Sequence, residues 1–199
     1  MIYLDTSIDD FDLQQALSAV SEWRREQALR YRQERDRRLC VAAYRLLQRA
    51  LRQEYGLEEL PQFTYDQRGK PSLVGHPEVH FSLSHCRQAV ACAVDARPVG
   101  IDVETLDHYT EEVAARTMSD SELRQIQSSP HPALSFTRLW TMKESLFKVS
   151  GDDGNGDIAH LLADVTGYRF TTIVHPDYVV TVCHRQDDAG APVTAAPAR

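Results

Sequence analysis

The sequence has none of the features that would place the chain in a membrane or in an oxidising compartment. No apolar run approaches the roughly 20 residues that a membrane-spanning helix needs. The acidic, mixed start MIYLDTSIDDFDLQQ differs from a secretion signal. The 4 cysteines show no C-x-x-C spacing, and the 8 histidines show no zinc-ligand spacing. We therefore expect a cytoplasmic protein with free thiols and no zinc site.

Positive charge is also scarce. The 22 Lys and Arg residues face 29 Asp and Glu residues, which gives a formal net charge of -7. A nucleic-acid binder needs a basic surface that neutralises phosphates, so we expect no nucleic-acid partner, and we expect no membrane partner either. The chain has 199 residues, of which 42% are hydrophobic and 26% are charged. That is enough for one good core, or for two small halves that share one.

Hydrophobic periodicity predicts both helices and strands. Apolar residues recur at helical spacing from Leu39 to Leu51, and Gly56 is a candidate end of that helix. The nearly continuous apolar run at 89–94 predicts a strand that is buried on both faces. Further predictions are a long helix at 136–149, a helix that begins with the capping box Ser119–Glu122, and strands at 1–4, 81–84, 99–104, 167–174 and 178–183. The predicted order is strand–helix–strands followed by helix–helix–strands, and the sequence contains no clean repeat.

The segment VGIDVE at 99–104 predicts a strand with one acidic face. Side chains alternate along a strand, so the apolar residues take one face and Asp102 and Glu104 take the other. Two carboxylates this close repel each other unless a cation or a proton intervenes. A small set of oxygen ligands suits Mg²⁺, which completes its coordination with water and phosphate. The alternative is an amphipathic edge strand whose acidic face is only solvated.

The helix predicted at 136–149 carries a lysine in an unexpected place. Lys143 lies near the middle of an apolar arc formed by Phe136, Leu139, Trp140, Met142, Leu146, Phe147 and Val149. A buried, unpaired ammonium group costs several kcal/mol, so this side chain either extends to solvent or meets an anion. Glu144 and Lys148 could form only a surface pair worth about 0.3–0.5 kcal/mol. We expect Lys143 to point toward an acidic cluster at the edge of the core.

Three further groups carry positive charge or donate hydrogen bonds. They are His85 at the end of FSLSH, Lys70 in RGKP, and the arginine-rich stretch at 24–38. Combined with the three acids Asp102, Glu104 and Glu144, they are suited to holding a metal–diphosphate. Phosphoryl transfer depends more on charge neutralisation and alignment than on a nucleophilic side chain. Simpler alternatives are a histidine satisfied by backbone, an exposed turn lysine and a solvated helix face.

These motifs in combination resemble those of the 4′-phosphopantetheinyl transferases. GIDVE (100–104) and WTMKESLFK (140–148) form the matching pair, with GKP (69–71) and FSLSH (81–85) upstream. Either member of the pair alone is a weak signal, whereas the two together, some 40 residues apart, are highly specific. The resemblance extends over about residues 20–185, and it is closest for the surfactin-synthetase-activating type.

The resemblance implies an α+β fold of two similar halves in a pseudo-twofold arrangement, each a small, mostly antiparallel sheet packed on a long helix. We therefore expect a single unit at 1–186, with halves at about 1–100 and 101–186, followed by a disordered tail at 187–199. The pseudo-dimeric form of the family implies a monomer.

The resemblance also implies a transferase, a holo-[acyl-carrier-protein] synthase. Such an enzyme moves the 4′-phosphopantetheine moiety of coenzyme A to a serine of an apo acyl, peptidyl or polyketide carrier protein and releases adenosine 3′,5′-bisphosphate, with Mg²⁺ as cofactor. This reaction serves fatty acid, polyketide or nonribosomal peptide biosynthesis. The alternatives are another Mg²⁺-dependent phosphotransfer or phosphohydrolase enzyme, and a non-catalytic homologue that binds coenzyme A.

Site residues follow from the resemblance motif by motif. The implied metal ligands are Asp102, Glu104 and Glu144. The implied contacts with coenzyme A are Lys148 and His85 on the diphosphate, Lys70 and Ser84 on the nucleotide or its phosphates, and Arg38 on the 3′-phosphate. The implied catalytic residues are Glu144 as candidate base, Lys148, and Glu122, for which the capping box is the alternative.

Two positions depart from the family pattern. Where the family has two lysines that reach the 3′-phosphate, this chain offers Arg24 and Arg25. Where the family has a threonine two residues after the motif glutamate, this chain has Leu106. Nucleotide contacts in these places are expected to differ from those of the family.

Overall fold

Two long helices, each beside a three-stranded antiparallel sheet, form the framework of the protein. The structure is a computed structural model that describes residues 1–67, 69–150 and 157–186. The predicted tail at 187–199 and all but the last residue of the GDDGNGD segment lie outside the described residues. Within the described part of the chain, no helix is both long and apolar enough to cross a membrane.

The first half of the chain builds one sheet around a long helix. Its elements are β1 (Ile2–Asp5), α1 (Leu13–Ser18), α2 (Glu22–Leu29), α3 (Glu34–Tyr55), β2 (Phe63–Tyr65), β3 (Pro71–Leu73), β4 (His80–His85) and β5 (Val90–Asp95). The sheet order is β1-β5-β4, and β2 and β3 form a separate hairpin. Helix α3 ends at Gly56 with a positive φ of 67°, as its sequence predicts.

The second half also builds one sheet beside a long helix. Its elements are β6 (Val99–Thr105), α4 (Glu111–Thr117), α5 (Asp120–Ser128), α6 (Pro132–Ser150), β7 (Tyr168–Val174) and β8 (Tyr178–Arg185), with short 3₁₀ turns at Leu106–His108 and Ile158–His160. The sheet order is β6-β8-β7. In both halves the first strand lies beside the last, and the long helix comes between the first strand and the final hairpin.

Strand β5 is buried on both faces, as its continuous apolar run predicts. Val90, Cys92 and Val94 pack on α3 in one cluster. Ala91 and Ala93, together with Ala89 just before the strand, pack against the apolar face of β6 and against β8 in a second cluster. Helix α6 covers the other face of the second sheet. The layers therefore run α3, first sheet, second sheet, α6.

Candidate active site

Two serines of β4 attach the first sheet to the edge of β6. Ser82 and Ser84 project to the side of β4 opposite α3, because Phe81 faces the α3 cluster and side chains alternate. Ser82 Oγ accepts a hydrogen bond from Ile101 N at 3.0 Å, and Ser84 Oγ donates to Asp102 Oδ1 at 2.8 Å. The FSLSH motif therefore provides an acceptor for one backbone N–H at the edge of β6 and a donor for Asp102 on the same strand.

Asp102 is the point at which both motif segments meet. Lys148 Nζ donates to Asp102 Oδ1 at 2.7 Å and to the Ile101 carbonyl at 3.0 Å. The Asp102 side chain is 8% exposed and that of Lys148 is 27% exposed. The carboxylate is therefore almost enclosed, whereas the ammonium group lies at the boundary with solvent. The structure thus brings the two motif segments together through residues 46 positions apart.

Glu104 lies further along the acidic face of β6. Its Oε1 accepts a hydrogen bond from the backbone N–H of Thr105 at 2.8 Å. Burial raises the pKa of Glu104, and the nearby Asp102 charge raises it further, while the Thr105 N–H and His108 lower it. Nδ1 of His108 lies 3.9 Å from Glu104 Oε2.

Glu144 faces both acids of β6 from helix α6. Burial is the main reason why the pKa of Glu144 is raised, and repulsion from Asp102 and Glu104 adds to it. Lys148 and His108 act in the opposite direction. Three carboxylates are thus close enough to oppose one another's ionisation, which a divalent cation would relieve.

The chemistry of these three acids fits an oxygen-preferring cation such as Mg²⁺. Two of the three have a raised pKa, and bound positive charge would favour their ionised forms. Among the described residues, however, no group of three or more His, Cys, Asp or Glu side chains is already arranged to hold a metal ion. Asp102, Glu104 and Glu144 as metal ligands therefore stay a prediction.

His85 ends β4 beside this group. Partial loss of hydration lowers the pKa of His85, and the nearby charge of Lys148 lowers it further. The neutral form of the imidazole is therefore favoured, although the side chain is exposed at the rim. A neutral ring still has one N–H to donate to a phosphate oxygen.

Lys70 is placed differently from an exposed turn lysine. Its Nζ donates to the Lys148 carbonyl at 2.7 Å, so it stabilises one of the last carbonyls of α6. Burial lowers the pKa of Lys70, and Asp66 partly offsets this shift. Lys70 is thus half-buried at the C-terminal end of α6. It contacts the backbone of Lys148, whose side chain contacts Asp102.

The arginines predicted to contact a phosphate have protein partners. Arg38 pairs with Glu34 at 2.9 Å, donates to the Phe11 carbonyl at 2.7 Å and lies over the Phe11 ring. Arg24 lies within 6 Å of three aromatic rings, those of Trp23, Tyr44 and Phe63. The Arg25 guanidinium lies 3.4 Å from the Glu22 carboxylate, and Arg25 is more exposed than Arg24. Phosphate contacts by these arginines remain predictions.

Lys143 does not point toward the acidic group, so that expectation is wrong. Its side chain is 0% exposed, and Nζ lies 2.8 Å from Glu122 Oε2. Three carbonyls, those of Thr117, Ile158 and Ala159, accept from the same nitrogen at 2.8 to 3.0 Å. The helix buries this ammonium because four acceptors surround it on the side of α6 next to α5.

Glu122 is the counter-ion of Lys143 and part of a capping box. Ser119 N donates to Glu122 Oε2 at 2.7 Å, and Glu122 N donates to Ser119 Oγ at 3.4 Å. The predicted capping box is therefore confirmed. The contacts described for Glu122 are with Ser119 and Lys143. Its catalytic role stays a prediction.

Sequence reasoning did not single out Gly100 or His108. Gly100 shares the face of β6 that carries Asp102 and Glu104, and helix α6 lies directly against it. A lone glycine inside a strand is a known sign of close backbone approach. The ring of His108 lies 5.2 Å from that of Trp140, so it sits between α6 and Glu104. No periodic signal marks His108, since it follows the strand in a short 3₁₀ turn.

The chain is similar to proteins of known activity. The family model described as the 4′-phosphopantetheinyl transferase superfamily matches residues 98–189. A 4′-phosphopantetheinyl transferase of Bacillus subtilis is 32% identical over 154 residues, covering 75% of this chain and 68% of the relative. Psf-1 of Bacillus pumilus is 30% identical, covering 83% of this chain and 72% of the relative. Sfp of Bacillus subtilis is 26% identical, covering 97% and 94%.

Proposed function

The chain belongs to the 4′-phosphopantetheinyl transferase superfamily, and from this membership we propose how its residues carry out the reaction. It is a transferase that moves the 4′-phosphopantetheine of coenzyme A to a carrier protein. The observation that carries the proposal is the contact of Lys148 with Asp102 at 2.7 Å. This contact joins the two motifs that distinguish the family, and it supports a site at the interface of β6 and α6.

The two halves at 1–100 and 101–186 form one pseudo-twofold unit in this proposal. Support comes from the shared strand order and from the matching position of α3 and α6 in the chain. Coenzyme A would lie across the junction of the halves, where Ser84 and His85 of the first half adjoin Asp102 of the second. We propose that the protein acts as a cytoplasmic monomer.

Asp102, Glu104 and Glu144 would hold Mg²⁺. When bound, the ion would withdraw charge from the diphosphate of coenzyme A and stabilise the leaving group. Lys148 and His85 would donate hydrogen bonds to the diphosphate oxygens. Because Lys148 now contacts Asp102, its ammonium group already lies at the entrance to the acidic group, where little movement is needed to reach a phosphate.

The proposed reaction is a displacement at phosphorus. The Oγ atom of the carrier serine forms a bond to the phosphorus that bears pantetheine, while the bond from that phosphorus to the bridging oxygen breaks. Adenosine 3′,5′-bisphosphate leaves with the electron pair. The serine proton passes to Glu144, directly or through a water.

The nucleotide end of coenzyme A would contact residues of the first half. Arg38 would bind the 3′-phosphate, with Arg24 or Arg25 in place of the lysines of the family. Lys70 and Ser84 would lie near the nucleotide, and both already contact groups at the β6–α6 junction. Glu122 would influence the reaction only through Lys143, with which it is paired.

The test is a mass measurement on a panel of apo acyl, peptidyl and polyketide carrier proteins. With coenzyme A and Mg²⁺, we expect a carrier to gain one phosphopantetheine arm. Release of nucleotide without carrier modification would favour a phosphohydrolase, and binding of coenzyme A without either product would favour a non-catalytic homologue. Asp102→Ala should abolish the mass gain. Asp177→Asn, which changes an exposed carboxylate of the β7–β8 hairpin, is the matched control and should retain it.

A further inference from the structure

We infer that Gly100 is a positioning residue of the active site, a role that rests on the proposed function. A Cβ atom added to Gly100 would lie 2.1 Å from the carbonyl oxygen of Ser145 and 2.9 Å from Cγ2 of Val149. It would also lie 3.0 Å from the backbone N of Val149. Helix α6 therefore approaches β6 as closely as it does because this position has no side chain.

The helix backbone makes the closest of these approaches. A carbonyl oxygen inside a helix cannot rotate away as a flexible side chain can. Contacts of a Cβ atom below 3.0 Å essentially never occur, so the 2.1 Å contact would have to lengthen by 0.9 Å. A methyl group at Gly100 would therefore move α6 and β6 apart and would not be absorbed by a change of rotamer.

The residues at this contact adjoin the residues of the site. Ser145 follows Glu144, and Val149 follows Lys148. On the strand, Gly100 precedes Ile101 and Asp102, which accept the two hydrogen bonds of Lys148. The separation of α6 from β6 at Gly100 therefore sets how far Glu144 lies from Asp102 and how directly Lys148 reaches it. Gly100 touches no reacting atom, so it acts through these neighbours.

The expected consequence is a loss of rate more than a loss of carrier binding. A misplacement of about 1 Å costs roughly 100-fold in rate when reacting groups must be aligned. Gly100→Ala should therefore lower kcat by roughly that factor, while the KM for the apo carrier protein changes by less than about 3-fold. If the three carboxylates hold Mg²⁺, the Tm increase that Mg²⁺ produces should shrink in the variant.

The experiment compares Gly100→Ala with Val99→Ala in the full chain. Val99 is buried on the opposite face of β6, against the first sheet, so its truncation weakens packing without moving α6. We expect Val99→Ala to lower Tm and to retain the wild-type kcat and Mg²⁺-induced Tm shift. In Gly100→Ala, kcat should fall and the Mg²⁺-induced Tm shift should shrink. Wild-type kcat together with the wild-type Mg²⁺ shift in Gly100→Ala would overturn the inference.

Two further variants keep the test decisive if Gly100→Ala folds poorly. Val149→Ile adds one methylene group at the same interface and should lower kcat in the same direction, by less. Gly100→Ala combined with Val149→Ala removes the 2.9 Å contact and leaves the Ser145 carbonyl contact, so it should stay impaired. Full recovery in this double variant would contradict a backbone spacing role. A wild-type protein without transfer activity would instead refute the proposed function.

Discussion

Two lysines five residues apart on α6 differ in burial and in the partners of their ammonium groups. Lys143 is wholly enclosed, and four acceptors including Glu122 surround its ammonium group. Lys148 is 27% exposed and pairs with an almost buried Asp102. The first lysine connects α6 to α5 and to the chain that follows, whereas the second lies where a substrate can reach it. The comparison teaches that charge inside a helix serves stability or chemistry according to what surrounds it.

The largest expected effect is on stability, at Lys143. Lys143→Ala leaves the Glu122 carboxylate buried and without its counter-ion, together with three carbonyls that lose their donor. We expect the free energy of unfolding to fall by about 3–5 kcal/mol, as when one partner of a buried ion pair is removed. Urea unfolding followed by circular dichroism measures it.

The double variant Lys143→Met with Glu122→Met provides the control, because it removes both charges and fills the space. It should recover only the part of the loss that comes from the unpaired Glu122 charge, because the three carbonyls and the Ser119 N–H still lack a side-chain partner. A loss in Lys143→Ala of less than about 1 kcal/mol, the value typical of a surface pair, would remove the distinction between the two lysines.

The second prediction concerns activity at Lys148. Lys148→Ala removes a cationic donor from the proposed diphosphate site, so kcat should fall by roughly 100- to 1,000-fold. Lys148 is partly exposed and contacts two acceptors, whereas Lys143 is enclosed and contacts four, so the free energy of unfolding should fall less than in Lys143→Ala. Single-turnover transfer to an apo carrier protein and urea unfolding on the same preparation test both statements. Full activity in Lys148→Ala would place the diphosphate elsewhere.

The third prediction uses the raised pKa of Glu104 and Glu144. Between the ordinary glutamate value of 4.5 and the raised folded value, the folded protein binds more protons than the unfolded chain. The contribution of these two groups to stability therefore falls as pH rises through that window. Glu144→Gln should flatten this dependence and raise Tm at pH 7, in contrast to Lys143→Ala. A lower Tm for Glu144→Gln at pH 7 would contradict the sign.

The smallest expected effect is at an ion pair exposed on both sides. Arg116 and Glu112 of α4 pair at 2.6 Å with both side chains about three-quarters exposed, at 75% and 74%. Glu112→Ala should change the free energy of unfolding by no more than about 0.5 kcal/mol, and it should leave transfer activity unchanged. It gives the baseline against which the two lysine pairs are compared. A larger change in the free energy of unfolding would indicate that the stabilisation from the three ion pairs does not decrease as their exposure increases.

Much of the fold was predictable because its signals are local. The apolar spacing of α3, the glycine at its end and the Ser119 capping box each act within a few residues. Helix α4 was missed, since its 7 residues carry little apolar periodicity. Helix α6 begins earlier than its apolar arc predicts, at Pro132, which suits a first helical turn.

At the candidate site, the face of β6 on which each side chain lies was predictable, whereas the contacts between distant segments were not. Alternation along β6 correctly separates Asp102 and Glu104 from the apolar face. The partners of Lys143 were not predictable, because Glu122 lies 21 residues earlier and the carbonyls of Ile158 and Ala159 lie 15 and 16 residues later. An arc of helical positions shows which side chains are enclosed, but it does not show what encloses them.

The sequence by itself determined the two motifs, the α+β order of elements and the side of β6 on which the acids lie, because periodicity and motif spacing are properties of the chain. Only the tertiary structure decided that Lys143 pairs with Glu122, that Ser84 and Lys148 converge on Asp102, and that α6 rests directly on Gly100. The physical reason is that burial and pairing depend on atoms brought together from distant segments, and packing alone selects those atoms.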